Sequence, residues 1–418
     1  MMIQKPPGVE DIFPDRITRF NYIINTAKEV FRLYNYREVI LPIMEYTEVF
    51  ARGIGDATDI VTKEMFTFED RGGRSLTLRP EGTASMVRAY VENGEYNRLS
   101  LCKFFYCGPM FRAERPQKGR LRQFNQFGAE LFGSDHPYFD FEVLSIMNDI
   151  ATKLQIHDYE LLINSIGCPD CRKPYIVELF NYYKNHEQEL CDDCKKRLYT
   201  NPLRLLDCKV ESCVAIKQDA PKITQFLCKA CNEHFDNVQN LLQIHAIKYS
   251  LTPLLVRGLD YYTKTTFEFV TSQLGGQNAF AAGGRYNNLV ELFDGKPTPA
   301  VGFAAGIERI ELLLEQTMLN DALDAYIVYA DETALPVVMH IANLLRKNNI
   351  SCDFDPIIKG FKTQFKRADR EKAKFAIIVG QDELANNSVT IKDMTSGEQV
   401  AILQSDVINF LSKKLTKP

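Results

Sequence analysis

Two extended runs flank a basic loop, and this arrangement is the strongest constraint that the sequence places on the fold. The runs are KFFYCGPMFR (residues 103–112) and LRQFNQFGAELFG (residues 121–133), with Pro116 and Gly119 in the loop between them. Alternating side chains point to opposite faces of a strand, and proline and glycine favour turns. The sequence therefore predicts two antiparallel strands joined by a long cationic loop.

The second run also places polar residues on one face. Gln126, Gly128 and Glu130 alternate with apolar residues, so they share a face of the predicted strand. Because glycine has no side chain, we expect a gap between Gln126 and Glu130. Such a gap would be a binding site for a small, polar, cationic ligand.

The cations of the loop contrast with the charge of the whole chain. Arg112, Arg115, Lys118, Arg120 and Arg122 are close neighbours, whereas the formal net charge of the protein is −4. This balance argues against general nucleic-acid affinity, so any nucleic-acid contact is expected at local patches. The chain has no apolar run near the roughly 20 residues that a membrane span needs, and no apolar signal core. A cytoplasmic protein is therefore predicted.

Periodicity divides the chain into two domains and an insertion. A helix is predicted over residues 16–34, with an apolar face formed by Ile17, Phe20, Ile24, Ala27, Val30, Phe31 and Tyr34. Two further helices are predicted, one from Thr83, which can cap it, and one around GFAAGIERIELLLEQ (residues 302–316). The pattern favours an α+β domain on a mostly antiparallel sheet over residues 1–322. Residues 165–245 form a helical, cysteine-rich insertion within it, and residues 323–418 form an α/β domain with a mixed sheet.

The common nucleotide-binding motifs are missing, since neither the P-loop pattern nor the dinucleotide-binding glycine pattern is present. A nucleotide site would then use arginines as phosphate ligands on an antiparallel sheet. Arg112, Arg257 and Arg309 are the candidates. Arg309 lies in the first turn of a predicted helix, where a cation opposes the helix dipole, and such violations of local rules cluster at functional sites.

Eight of the 11 cysteines lie within the insertion. They form the pairs Cys168/Cys171, Cys191/Cys194, Cys208/Cys213 and Cys228/Cys231. Three pairs have the C-x-x-C spacing that lets two thiolates bind one tetrahedral zinc. The sequence predicts structural zinc, in two Cys₄ sites or in one site with free thiols beside it, and the alternative is reduced thiols without metal.

Five stretches, in order along the chain, together resemble one known family. The segment FRAERPQKGRLRQFNQFG is similar to motif 2 of class II aminoacyl-tRNA synthetases, GFAAGIERI resembles their motif 3, and the first helix with REVILPIM resembles motif 1. LVRGLDYYTKTTFEF and GGRYNNL resemble the two signatures of histidyl-tRNA synthetases, and TLRPEGTA fits the same family. The cysteine-rich insertion is the main departure from the family pattern.

The resemblance implies a class II synthetase-like catalytic domain that activates histidine with ATP and transfers it to tRNA(His). It implies catalytic roles for Arg257 and Arg112 and ATP binding by Arg112, Arg309 and Glu114, with Mg²⁺ beside the phosphates. The histidine-binding residues that it implies are Glu81, Thr83, Gln126, Glu130, Tyr261, Tyr262, Tyr286 and Arg285. It also implies tRNA contact by the loop residues Arg115, Lys118 and Arg120.

The resemblance further implies a homodimer and an anticodon-binding role for residues 323–418. Residues 357–374 of that domain hold seven cations, a pattern that fits either RNA phosphate contact or a solvated helix face. Two other functions are alternatives for the whole chain. One is a catalytically silent paralogue, such as the regulatory subunit of histidine biosynthesis, and the other is a zinc-dependent RNA-binding protein.

Overall fold

A computed structural model describes residues 3–55, 58, 60–117, 119–275, 278–314, 322–357 and 359–415. The predicted loop residue Lys118 lies outside these ranges. The chain divides into two compact units, Met1–Gln316 and Thr317–Pro418. In the described part of the chain, no helix has both the length and the apolar character needed to cross a membrane.

The first unit contains eleven strands and ten α-helices among its described residues. Before the insertion these are α1 (Pro14–Leu33), β1 (Arg37–Glu38), β2 (Met44–Tyr46), α2 (Thr47–Ile54), β3 (Phe66–Glu69), β4 (Ser75–Leu78), α3 (Thr83–Glu92), β5 (Cys102–Phe111), β6 (Gln123–Phe132), α4 (Pro137–Lys153) and β7 (Glu160–Ser165). The insertion contributes α5 (Pro169–Asn185), α6 (Asp192–Thr200), α7 (Glu211–Lys217) and α8 (Lys229–Ile244). The remaining elements are β8 (Ser250–Leu251), β9 (Thr263–Val270), β10 (Ala279–Arg285), α9 (Leu289–Leu292), β11 (Ala300–Gly306) and α10 (Ile307–Glu311).

One eight-stranded sheet organises this unit, in the order β1-β5-β6-β11-β10-β9-β7-β8. Its pairs are antiparallel except β1 with β5 and β7 with β8. The predicted pair β5–β6 is confirmed, with Tyr106 opposite Gly128 and Phe104 opposite Glu130. The mostly antiparallel sheet of the predicted fold class is therefore confirmed.

The amphipathic helix α1 covers one face of this sheet. Phe20, Ala27, Val30 and Phe31 of the predicted apolar stripe are buried, and they pack with residues of β5, β6 and α4. Burying each large apolar side chain stabilises the fold by about 1.5–3 kcal/mol. Ile17, which was predicted on the same face, is partly exposed at 36%.

Two local predictions were wrong. The stretch GFAAG begins as strand β11 rather than as a helix, because its small residues pass closely between two neighbouring strands. A side chain at Gly302 would collide with the carboxylate of Glu130 on β6 and with the backbone of Ala129. Thr83 does not cap α3 with its side chain; the carboxylate of Glu81 accepts hydrogen bonds from the backbone N–H groups of Thr83 and Ala84 instead.

The second unit has a five-stranded mixed sheet in the order β13-β12-β14-β15-β16, with β12 parallel to β13 and β14 and the other pairs antiparallel. Its elements are β12 (Ala325–Tyr329), α11 (Leu335–Lys347), β13 (Cys352–Asp353), α12 (Phe361–Arg370), β14 (Phe375–Val379), α13 (Gln381–Ala385), β15 (Ser388–Asp393), β16 (Gln399–Leu403) and α14 (Val407–Leu415). The mixed sheet was predicted correctly, but α13 and β16 were missed. β16 is mostly exposed, so it lacks the apolar alternation that marks a half-buried strand.

Candidate active site

A cavity of about 1000 Å³ opens beside the large sheet in the first unit. Ten of the residues predicted for catalysis, substrate binding or tRNA contact line it: Glu81, Thr83, Arg112, Glu114, Arg120, Gln126, Arg257, Tyr261, Tyr262 and Arg309. They come from the end of β5, the start of α3, β6, the segment before β9, and α10. The sheet thus brings together side chains from residues 81 to 309 of the sequence.

The three predicted phosphate-binding arginines lie in one electrostatic environment. Burial, together with the positive charges of Arg112, Arg120 and Arg257, lowers the pKa of Arg309 to about 10. Burial also lowers the pKa of Arg112, and Arg257 contributes to this effect. Like charges held this close destabilise one another, so a polyanion in the cavity would relieve the repulsion.

Backbone carbonyls and an aromatic ring hold two of these arginines. The Nε of Arg309 donates to the carbonyl of Gly119 at 3.0 Å, and its Nη1 donates to the carbonyl of Ala279 at 2.6 Å. Arg112 donates from Nε to the carbonyl of Pro80 at 3.0 Å and lies over the ring of Phe124 at 5.3 Å. Each guanidinium is therefore oriented before any ligand arrives, which favours electrostatic catalysis.

Arg257 forms an ion pair with Glu268 on β9, a partner that the sequence did not indicate. Burial alone would lower the pKa of Arg257, but the negative charge of Glu268 and nearby tyrosines raise it above its usual value. The Nε of Arg257 is buried and has no hydrogen-bond partner among the residues that the structure describes. Arg257 is thus charged and anchored through Nη1, and its Nε is unpaired within the described part of the chain.

Glu130 lies behind the cavity as a fully buried carboxyl group. It accepts a hydrogen bond from Thr83 Oγ1 at 2.7 Å, another from the hydroxyl of Tyr286, and a longer one of 3.4 Å from the hydroxyl of Tyr106. Burial raises the pKa of Glu130 to about 8, although the hydrogen bonds from Tyr286 and Thr83 oppose this shift. The group is therefore poised to change protonation near neutral pH.

The gap predicted at Gly128 is filled by the ring of Tyr106. A side chain at Gly128 would lie 2.5 Å from Tyr106, and a side chain at Gly82 would meet the same ring. The two glycines therefore make room for a protein side chain rather than for a ligand. Tyr106 was missed, although it lies directly opposite Gly128 in the antiparallel pair that the sequence predicted.

Arg285 does not line the cavity. Its fully buried guanidinium pairs with Asp140 of α4 and donates to the carbonyl of Ser134 at 2.9 Å. This ion pair holds the end of β10, and the next residue, Tyr286, reaches Glu130. The geometry therefore gives Arg285 a structural position behind the pocket, in place of the predicted contact within it.

The arginines of the cationic loop differ in how their charge is compensated. Arg120 pairs with Glu114 and lies 3.5 Å from Glu64, whereas Arg115 is exposed. Gln117 and Arg120 exchange backbone hydrogen bonds of 3.0 and 2.8 Å, which close a turn. Carboxylates thus compensate the charge of Arg120, while Arg115 extends into solvent.

The eight cysteines of the insertion assemble into two groups. The first contains Cys168, Cys171, Cys228 and Cys231, and the second contains Cys191, Cys194, Cys208 and Cys213. The sulfur atoms of each group lie within 4.8 Å of one another, including 3.5 Å between Cys168 and Cys171. Tetrahedral zinc with bonds of about 2.3 Å would separate its sulfurs by about 3.8 Å, so both groups fit this metal.

Backbone donors also point at the sulfurs. The N–H of Cys228 donates to Cys171 Sγ at 3.1 Å, and the N–H of Cys191 donates to Cys213 Sγ at 3.3 Å. Such hydrogen bonds stabilise thiolates, the form that binds metal. The donor set is therefore suited to a cation in both groups.

Three arginines converge beside a buried polar pocket on a mostly antiparallel sheet, and the sequence has no P-loop. This combination is that of the class II aminoacyl-tRNA synthetases. Comparison with known families agrees. The family profile described as "Histidyl-tRNA synthetase" matches residues 8–310, and one described as "Anticodon binding domain" matches residues 324–414. The chain belongs to the histidyl-tRNA synthetase family.

Individual relatives support the assignment over the whole length. The histidine–tRNA ligase of Halothermothrix orenii is 48% identical over 417 residues, covering 99% of this chain and 100% of the relative. That of Natranaerobius thermophilus is 46% identical, covering 96% and 97%. The crystal structure of apo S. aureus histidyl-tRNA synthetase superposes with a TM-score of 0.83 at 38% identity, covering 98% of this chain and 100% of that one. These relatives are ligases, which excludes the silent paralogue and the non-catalytic RNA-binding protein.

Proposed function

We propose that this protein joins histidine to tRNA(His) in two steps, with histidyl-adenylate and pyrophosphate formed first. The observation that carries the proposal is one cavity that holds three oriented arginines beside a buried acidic and phenolic pocket. The test is ATP–pyrophosphate exchange with each amino acid in turn. Exchange with histidine alone supports the proposal, and an absence of exchange with every amino acid removes it.

ATP binds across the arginines in this proposal. Arg112 contacts the α-phosphate, Arg309 the γ-phosphate, and Arg257 approaches the α-phosphate from the opposite side. Magnesium, when bound, would neutralise phosphate charge with Glu114 or Glu268 beside it, since Mg²⁺ commonly takes one or two carboxylates together with substrate phosphates. The arginines stabilise the negative charge that develops on the phosphoryl oxygens, which is a large term in such transfers.

Histidine binds at the other end of the cavity. Glu81, Thr83 and Gln126 hold its α-amino and carboxylate groups. The side-chain oxygen of Gln126 is buried and has no hydrogen-bond partner in the part of the chain that the structure describes. Glu130, with Tyr261, Tyr262 and Tyr286 around it, reads the imidazole, which has one donor and one acceptor nitrogen. A site that pairs buried polar groups rejects analogues that lack them by about 10⁴–10⁵-fold, so proofreading is unnecessary.

Replacing Glu130 by Gln tests this pocket. Above about pH 8, where Glu130 is ionised, we expect the Michaelis constant for histidine to rise by about 30- to 150-fold, because a hydrogen bond to a charged group contributes about 2–3 kcal/mol. The constant for ATP should change little. Glu69→Gln, at an exposed carboxylate of β3, is the matched control and should leave the constant for histidine near wild type. An unchanged constant for histidine in Glu130→Gln would count against this pocket.

The raised pKa of Glu130 predicts a pH dependence. Below about pH 8 the carboxyl group of the free protein is protonated, so it cannot accept the imidazole N–H as a carboxylate. We expect kcat/KM for histidine to rise with pH until about 8 and then to level off. Glu130→Gln should lose this rise. If the variant keeps it, another group is responsible, such as the substrate itself.

We propose that two parts of the chain bind tRNA. Arg115, Lys118 and Arg120 of the cationic loop meet the acceptor end of tRNA(His), and residues 323–418 bind the anticodon. In that domain Arg367 pairs with Asp353 and Asp355, while Lys362, Lys366 and Arg370 are exposed. A homodimer is supported by exposed apolar side chains after α1, with Ile40 92% and Met44 54% exposed. We propose that this dimer is cytoplasmic.

We also propose that each of the two cysteine groups binds a structural zinc ion. A closed Cys₄ site has no open position for catalysis, so its contribution is to stabilise the insertion. Purified protein should contain about two zinc ions per chain, and a strong chelator should lower its melting temperature. Cys107→Ser, outside both groups, is the control for loss of a thiol. Metal well below one per chain, with eight readily titrated thiols in residues 168–231, would remove the zinc proposal.

A further inference from the structure

The side chain of Arg257 pairs with Glu268 of the sheet, but the backbone of the segment that carries it has little support from the sheet. Residues 257–262 lie between β8 and β9, and the structure describes them in neither a helix nor a strand. One backbone hydrogen bond ties the middle of the segment to α2, from the N–H of Asp260 to the carbonyl of Ile54 at 3.2 Å. A catalytic arginine on such a segment needs other contacts to hold it in place.

Three side chains of the insertion supply these contacts. Arg204 Nη1 donates to the carbonyl of Arg257 at 3.3 Å. Asn201 Nδ2 donates to Asp260 Oδ1 at 3.0 Å. Arg172 Nη1 donates to the carbonyl of Tyr262 at 3.2 Å. The three donors therefore bind the beginning, the middle and the end of the segment.

The packing around Arg204 explains a glycine in the segment. Arg204 is buried, and a Cβ atom at Gly258 would lie 3.3 Å from its Nη1, which is tighter than ordinary contact. Asp260 in turn lies close to Arg204, Arg172 and Asn201, whose charges and hydrogen bond oppose the rise in pKa that burial gives this carboxyl group. The insertion and the segment thus share a polar interface.

Each donor lies on a stretch of chain that carries cysteines of one of the two groups. Arg172 follows Cys171 in α5, which belongs to the first group. Asn201 and Arg204 lie between Cys194 and Cys208 of the second group, Arg204 within the turn Pro202–Asp207. A metal that joins Cys194 to Cys208 would restrict the chain that carries Asn201 and Arg204.

We propose that Arg172, Asn201 and Arg204 are positioning residues for amino-acid activation, and that the two cysteine groups hold them in place. This inference rests on the proposed function and extends it. The insertion then serves the first half-reaction directly. Metal loss would slow activation even when no tRNA is present.

The test is single-turnover formation of histidyl-adenylate without tRNA, in full-length Asn201→Ala and Arg204→Ala. We expect the rate to fall by about 10- to 100-fold, as small misplacements of catalytic groups do, with little change in the constant for ATP. Metal content and melting temperature should stay near wild type. Lys196→Ala, an exposed position on α6, is the matched control and should behave as wild type.

Two further measurements separate positioning from loss of structure. Arg204→Lys, which keeps a donor, should recover part of the rate. In a double-mutant cycle, Asn201→Ala with Asp260→Ala should be no slower than Asp260→Ala alone, because the two residues act through one contact. Additive losses, or wild-type rates in both alanine variants, would overturn the inference. A wild-type protein that shows no exchange with histidine would instead remove the proposed function.

Discussion

Arg257→His is expected to slow histidyl-adenylate formation by about 10²–10³-fold, the usual effect of deleting one preorganised donor at developing charge. In the structure the guanidinium is charged and paired with Glu268, and its buried Nε has no partner among the described residues. In the proposed complex Arg112 already contacts the α-phosphate in the ground state. The loss should therefore fall on the transition state, and the Michaelis constants for ATP and histidine should move much less.

Single-turnover measurement of the two half-reactions decides this prediction. Transfer of histidine from preformed adenylate to tRNA should suffer less than activation. Arg71→His is a matched control, because Arg71 is an exposed arginine of the same unit. Glu268→Gln removes the anchor but keeps the donor, so we expect a smaller loss. If activation by Arg257→His stays near wild type, or only the constant for ATP rises, Arg257 is a binding or structural residue.

Deletion of residues 323–418 should lower tRNA charging by about 10²–10³-fold while histidine-dependent pyrophosphate exchange remains partly intact. The residues that line the cavity all belong to the first unit, which ends at Gln316 and has its own apolar core. The matched anticodon-binding profile lies in the second unit. A specific nucleic-acid interface commonly strengthens binding by about 10³-fold or more over non-specific contact, so its removal should act on charging.

The control for the deletion is the state of the truncated chain. Its melting temperature and molecular mass should show that it folds and assembles as the full-length protein does. Charging at high tRNA concentration should recover in part, since the lost term is binding. Equal loss of exchange and charging in a folded truncation would contradict the division of labour between the two units.

Much of the site could be predicted because local sequence patterns specify it. Antiparallel pairing of β5 with β6 follows from two extended runs around a turn-rich loop, and the C-x-x-C spacing indicated cysteines that could share a metal. The residues around Glu130 were harder to predict. Tyr106 fills the space at Gly128, and Arg285 turns to Asp140, because each partner depends on how strands and helices pack.

Sequence alone determined the family, the mostly antiparallel sheet, the three arginines and the eight cysteines, since motifs and periodicity are properties of neighbouring residues. Only the tertiary structure decided which groups meet. It paired Arg257 with Glu268, divided the cysteines into two groups of four, and brought Asn201 and Arg204 against the segment of Arg257. The physical reason is the length of chain between partners: Arg285 and Asp140 are 145 residues apart, and no local pattern specifies such a contact.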